Sequence, residues 1–175
     1  MTRVSMAFDL ADSGVTEALG ASLARSFPGA ARSAGVAPGG VLYLHGDLGA
    51  GKTTCARSLL RALGVVGLVR SPTYTLVETY ELAGLTCVHV DLYRLQTRTE
   101  VDELGLRDLV GPCLLLVEWP EKGGGALPPA DLELLLNYAG DGRQARLTAG
   151  TPLGSTWLEN LGSDSSLSFY VSNLT

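Results

Sequence analysis

The sequence predicts an α/β domain with a mixed, mainly parallel sheet flanked by helices and carrying β-hairpins. Three observations carry this. Short apolar runs of strand length alternate with stretches of helical spacing. One such run ends in a glycine-rich loop that opens directly into an amphipathic helix. Two further stretches, each broken by a glycine turn, read as hairpins and add antiparallel pairs. The 175 residues amount to about one domain. With 46% apolar and 18% charged residues, the chain can fill a core and carries too little charge for a disordered protein.

Asp12 to about Phe27 is expected to be a helix. Val15, Leu19 and Leu23 recur at spacing four, and Asp12 or Ser13 can cap it. The stretch from Pro28 to Gly40 reads as loop, weakly helical in its middle. Val41-Leu42-Tyr43-Leu44 suits a buried strand, and from Lys52 to Leu63 the period changes to helical. Ala56, Leu59, Leu60 and Leu63 form one face there, and Gly64 follows as a stop. Thr75 to Leu82 and Leu85 to Val90, joined at Ala83-Gly84, form the first hairpin. Thr97-x-x-Glu100 is a capping box ahead of Val101 and Leu104 at helical spacing. The five apolar residues Cys113 to Val117 read as a buried strand. Leu132 to Tyr138 and Arg143 to Thr148, around Gly140-Asp141-Gly142, form the second hairpin. Residues 1–162 are expected to make one domain, and the serine-rich 163–175 a poorly ordered tail.

Composition narrows the function. The net charge of −5 argues against unaided, non-specific nucleic-acid binding, which depends on neutralising phosphates. The three cysteines, Cys55, Cys87 and Cys113, are widely spaced, and there are two histidines. A zinc site is therefore not expected, and a reducing cytoplasm is the expected compartment. No apolar run reaches the roughly 18 residues of a membrane span. Met1 to Ser5 lacks a basic segment followed by an apolar stretch, so no secretory signal is expected.

The most specific stretch is Gly46-Asp47-Leu48-Gly49-Ala50-Gly51-Lys52-Thr53, which meets G-x-x-x-x-G-K-[ST] at every fixed position. Chance would place this pattern in roughly one random chain of this length in two hundred. Its chemistry suits a nucleoside triphosphate. The loop's N–H groups and the helix N-terminus face phosphate oxygens, Lys52 adds a cation, and Thr53 offers a hydroxyl to Mg²⁺. With Thr54, these residues are the candidate nucleotide site of a P-loop domain.

Such a site needs an acidic residue near the metal, and ligands of parallel α/β sheets sit beyond the carboxyl ends of strands. Asp91 and Glu118 each end a predicted strand. One can hold Mg²⁺ and the other orient the attacking water, with the division between them open. Ser71-Pro72-Thr73-Tyr74-Thr75 occupies the place of a phosphate-sensing switch, with Thr73 or Thr75 as the sensor. Trp119 is either a core anchor or the start of a flexible glycine loop, Pro120 to Gly125. Arg94, Arg143 and Arg146 read as solvated surface, His89 as a packed histidine, and Cys55 as small apolar filler. No N-K-x-D stretch exists to read guanine, so ATP is expected over GTP.

Four blocks in this order, Gly46 to Thr54, Ser71 to Glu78, Asp91-Leu92-Tyr93-Arg94-Leu95 and Val117-Glu118-Trp119, resemble the TsaE family. That family supplies the ATPase component of bacterial tRNA threonylcarbamoyladenosine synthesis. The resemblance covers about Val41 to Arg146 and implies a compact P-loop fold with ATP and Mg²⁺ as ligands. It implies partners similar to TsaB and TsaD, with tRNA met through their complex, not by this chain alone. By motif it places Lys52 on phosphates, Thr53 and Glu118 on Mg²⁺, Asp91 in hydrolysis, and Trp119 beside them. It marks Ser71 to Thr75 as switch-like and puts adenine contacts partly in the N-terminal segment, here Leu10 to Ser13. Two other readings are a small-molecule P-loop kinase and a nucleotide-gated binding module without essential hydrolysis.

Overall fold

The computed structural model describes residues 4–30, 39–109 and 113–167. The middle of the expected 28–40 loop and residues 168–175 of the expected tail lie outside the described residues.

In chain order the elements are β1 (Ser5–Leu10), α1 (Ser13–Ser26), β2 (Gly40–Gly46), α2 (Lys52–Leu63), β3 (Val77–Leu82) and β4 (Leu85–Asp91). They continue with α3 (Arg98–Asp102), β5 (Cys113–Glu118), β6 (Leu132–Ala139), β7 (Gly142–Ala149) and α4 (Pro152–Gly162). All seven strands join in one sheet of order β1-β7-β6-β2-β5-β4-β3. The centre, β6-β2-β5-β4, is parallel; the β3–β4 and β6–β7 hairpins and the β1–β7 pair are antiparallel.

The runs of β4 and β5 are buried on both faces, as parallel strands between helices require, whereas β6 buries Leu132, Leu134 and Leu136 on one face and leaves Leu135 exposed on the other. Along β5, Leu114 and Leu116 enter one core while Leu115 and Val117 enter another. Helices α1, α2 and α4 cover the first; α3 and short turns cover the second. Val15, Leu19 and Leu23 of α1 are buried at the expected spacing, and the Asp12 carboxylate accepts the N–H of Val15 as cap. Gly20 lets α1 approach α2 closely, since a β-carbon there would lie 2.4 Å from the Cys55 carbonyl oxygen. The Thr97–Glu100 capping box forms with both hydrogen bonds. Among the described residues, no helix is long and apolar enough to cross a membrane.

Two elements escaped the sequence reading: the edge strand β1 and the helix α4. The expected disorder from residue 163 is also corrected for 163–167. Ser165–Leu167 form a 3-10 turn, Leu167 is buried, and Asp164 takes a 2.8 Å ion pair from Arg25 of α1. Serine content hid this because the segment is held by side-chain hydrogen bonds and one apolar plug, not by periodicity. Burial alone would raise the Asp164 carboxyl. Hydrogen bonds from Ser166, Arg25 and Ser22 instead hold it well below the usual carboxylate range. A depressed folded-state value stabilises above the unfolded value and loses that stability as pH falls. We expect Asp164→Asn to cost about 1 kcal/mol at pH 7, since Arg25 is half exposed, and the deficit to shrink below about pH 4. Urea melts of both proteins at pH 7 and pH 3 check this; an equal deficit at both pH values refutes it.

Candidate functional site

The loop after β2 is shaped by its backbone. Gly46 has φ +136°, and a β-carbon there would lie 2.4 Å from the Leu136 carbonyl oxygen of the neighbouring strand. At the start of α2 no side chain caps the first turn, so its N–H groups have no side-chain acceptor. Lys52 is almost wholly buried. Its Nζ donates to the carbonyls of Gly46 at 2.6 Å and Asp47 at 2.8 Å, and stands 4.0 Å from the Trp119 ring centroid. Burial draws its ammonium below the ordinary value, against the carboxylates of Glu118, Glu121, Asp91 and Asp47, which favour the charged form.

Parallel pairing sets the carboxylates side by side. Asp91 and Glu118 are direct register partners at the carboxyl ends of β4 and β5, and β5 lies next to β2. The Thr53 hydroxyl donates to Glu118 Oε2 at 2.8 Å. Asp91 Oδ1 accepts the Tyr93 N–H at 2.9 Å, and its Oδ2 accepts the Thr73 hydroxyl at 3.3 Å. Burial raises the Asp91 carboxyl; the Tyr93 N–H opposes this and the Glu118 charge adds to it. Lys52, Thr53, Thr73, Asp91, Glu118 and Trp119 all line one cavity of about 250 Å³.

Two residues with left-handed backbone complete it. Leu76 (φ 65°) donates its N–H to the Pro72 carbonyl and accepts the Asp91 N–H, which ties the Ser71–Thr75 segment to the end of β4. That turn makes β3 begin at Val77, two residues after the expected Thr75. Trp119 (φ 59°) turns the chain after β5 so that its indole returns over Lys52 and packs on Tyr93 at 5.0 Å. Such conformations cost about 1–3 kcal/mol each and persist where surroundings impose them.

The candidate residues therefore converge, with one exception. Thr75 bonds Glu78 at the surface and is absent from the cavity wall, so Thr73 is the threonine at the carboxylates. The glycine stretch after Trp119 is folded into 3-10 turns, Pro120–Lys122 and Gly124–Ala126, with Ala126 and Leu127 buried in the second core. Arg143 is not idle surface: it donates to the Gly49 carbonyl at 3.4 Å and stacks 4.0 Å from the centroid of Tyr138, whose hydroxyl donates to the Leu48 carbonyl. Arg146 is exposed, as expected. Leu10, Asp12 and Ser13 line a second hollow of about 180 Å³ that shares Gly49, Gly51 and Thr54 with the first. Cys55 is fully buried, which pushes its thiol up to about 12 and leaves it inert. His89, read as a packed histidine, is wholly buried and also hydrogen-bonds Glu118 Oε1 at 2.8 Å. Its position two residues before Asp91 was the available signal.

The oxygens fit a divalent cation. Thr53 Oγ1 and Glu118 Oε2 are hard donors 2.8 Å apart. Neighbouring ligands of octahedral Mg²⁺, at its usual bond lengths, stand about 2.9 Å apart.

Known proteins are similar to this chain over most of its length. A family model described as "Threonylcarbamoyl adenosine biosynthesis protein TsaE" matches residues 10–146. The tRNA threonylcarbamoyladenosine biosynthesis protein TsaE of Haemophilus influenzae is 49% identical over 115 residues, 65% of this chain and 73% of that protein. The Bacillus subtilis protein of the same name is 40% identical over 105 residues, 59% of this chain and 65% of its own length. The Synechocystis one is 38% identical over 129 residues, covering 70% of this chain and 74% of that protein. Among solved structures, Bacillus subtilis YdiB superposes with a TM-score of 0.73 at 28% identity, covering 93% of this chain and 97% of that one. The phosphate-loop geometry, the paired strand-end carboxylates and these matches together lead to one statement: this chain belongs to the TsaE family of threonylcarbamoyl adenosine biosynthesis proteins.

Proposed function

We propose that the chain is a cytoplasmic, Mg²⁺-dependent ATPase subunit of the assembly that adds threonylcarbamoyl to the adenosine beside the anticodon of tRNA. In this reading, hydrolysis drives turnover of a complex with TsaB-like and TsaD-like proteins, and tRNA is met there. The observation that carries it is the convergence of Lys52, Thr53, Asp91 and Glu118 on one cavity. The loop amides and Lys52 grip phosphates, Thr53 and Glu118 hold the cation, and Asp91 orients the attacking water. Mg²⁺, when bound, offsets charge on the β- and γ-phosphate oxygens. The second hollow, at Leu10 to Ser13, receives the adenine end.

Slow hydrolysis by the chain alone and faster hydrolysis with both partners and tRNA is the expected result. Asp91→Asn should lower the stimulated rate at least about 100-fold while ATP still binds, the scale expected for loss of a positioned base. A rate unmoved by partners that do assemble removes the coupling. The Ser71–Thr73–Asp91 hydrogen-bond chain favours a second reading, in which nucleotide binding gates the loop and hydrolysis is dispensable. Sustained multiple-turnover tRNA modification by Asp91→Asn, with hydrolysis confirmed lost, selects it.

A further inference from the structure

We infer that His89 is the positioning residue for Glu118: its ring holds Oε1 so that Oε2 is presented to Thr53 and to the cation. The inference rests on the proposal that Thr53 and Glu118 are the cation's ligands.

The geometry is a matter of register. His89 is the partner of Leu116 across the β4–β5 ladder, so its ring lies on the sheet face that Glu118 shares. Both side chains are withdrawn from solvent, at 1% and 2% exposure, and Nε2 stands 2.8 Å from Oε1. The two carboxylate oxygens are thereby divided, Oε1 to His89 and Oε2 to Thr53. A glutamate has three rotatable bonds, and a free one at this place would sample several rotamers. Pinning one oxygen from behind leaves the other aimed at the end of α2.

The ring's second nitrogen fixes which tautomer is present. Nδ1 is buried and has no hydrogen-bond partner among the described residues. A buried N–H left without an acceptor costs more than a bare lone pair, so the hydrogen sits on Nε2 and is donated to Oε1. This is the arrangement of a ligand orienter: a donor committed to the carboxylate and nothing reaching past it. A histidine serving only as core filler has no need of that bond, and leucine would fill the site as well.

The test uses the full chain with ADP below the protein concentration and Mn²⁺ as the probe, its bound fraction read by electron paramagnetic resonance. His89→Leu is expected to weaken Mn²⁺ binding to the protein–ADP complex about 10- to 100-fold, the scale seen when a ligand's outer partner is removed. ADP affinity without metal should hold within about threefold, because Lys52 and the loop amides carry it. His89→Gln places an amide N–H near Nε2 and should recover most of the loss. Mn²⁺ affinity unchanged in His89→Leu overturns the inference and leaves the site intact. Wild-type protein that adds nothing to the affinity of ADP for Mn²⁺ overturns the ligand assignment and the inference together. Should His89→Leu fail to fold, the ¹⁵N spectrum of the wild-type ring decides. A hydrogen on Nε2 supports the inference, and one on Nδ1 overturns it. His45 is the other histidine, so assignment needs one variant.

Discussion

Lys52→Ala is expected to lower ATP affinity by about 100-fold or more, because two charge-assisted hydrogen bonds to phosphate oxygens, each about 1.5–3 kcal/mol, go with the ammonium. The fold should survive. Lys52 stands at the first position of α2, where alanine is well tolerated, and its charge is already disfavoured by burial. What the variant loses in the absence of nucleotide is the tether between the loop and its own helix, since Nζ donates to the Gly46 and Asp47 carbonyls. The Trp119 ring also loses the cation beneath it. The loop should therefore become looser as well as less cationic, so Lys52→Arg should not rescue. A planar guanidinium does not fit a niche that leaves lysine 4% exposed. Calorimetric titration with ATP checks both variants. An affinity within threefold of wild type, on folded protein, removes Lys52 from the phosphate site.

How much of this site was legible before the fold was known depends on how local its information is. The phosphate loop is contiguous, so its motif carries the whole geometry in eight residues. Asp91 and Glu118 were legible as strand ends because the apolar runs before them define where each strand stops. Their adjacency was not, since it follows from a one-to-one register between β4 and β5. His89 shares its alternation with the core residues Leu85 and Cys87, so burial pattern alone could not separate it from filler. The choice of Thr73 over Thr75 turns on the left-handed backbone of Leu76, a non-glycine residue that no composition rule flags. Arg143 reaches the loop from the far hairpin, a long-range contact with no local trace.

The same division holds for the fold. The strands β4 and β5 read clearly because both their faces are largely apolar. The edge strand β1, Ser5–Leu10, mixes Ser5 and Asp9 with apolar residues and is fixed by its ladder to β7. In α4 the run Gly154-Ser155-Thr156 has weak helix propensity. Thr151 caps the helix and Pro152 sits at its first turn, a start signal that lies in the sequence. What secures α4 is its use to α1. The i+4 backbone donor of Leu23 O is turned to Ala24 O, which leaves Leu23 O a long 3.3 Å hydrogen bond from the Ser26 hydroxyl within α1. Trp157 Nε1 donates to Leu23 O at 2.9 Å, and Asn160 Nδ2 to Ser26 O at 3.0 Å.

Trp157→Ala is therefore expected to have the largest effect on stability. The indole is fully buried and packs 4.8 Å from the Phe27 ring. Deleting it removes apolar burial, opens a cavity and withdraws the donor from Leu23, together about 4–5 kcal/mol. For a domain of this size that lowers the thermal midpoint by roughly 10–15 °C. Trp157→Phe separates the two contributions: most of the ring remains, while the bond to the Leu23 carbonyl does not. Its cost should be about 1–2 kcal/mol, the scale of one unmade buried hydrogen bond with slight repacking. The ranking matters more than either value. If α4 were an appendage, both variants would melt within about 2 °C of wild type. If it were packing alone, phenylalanine would restore wild-type stability. A graded loss, alanine well below phenylalanine and phenylalanine below tryptophan, is what a helix that both fills the core and closes the end of α1 must give.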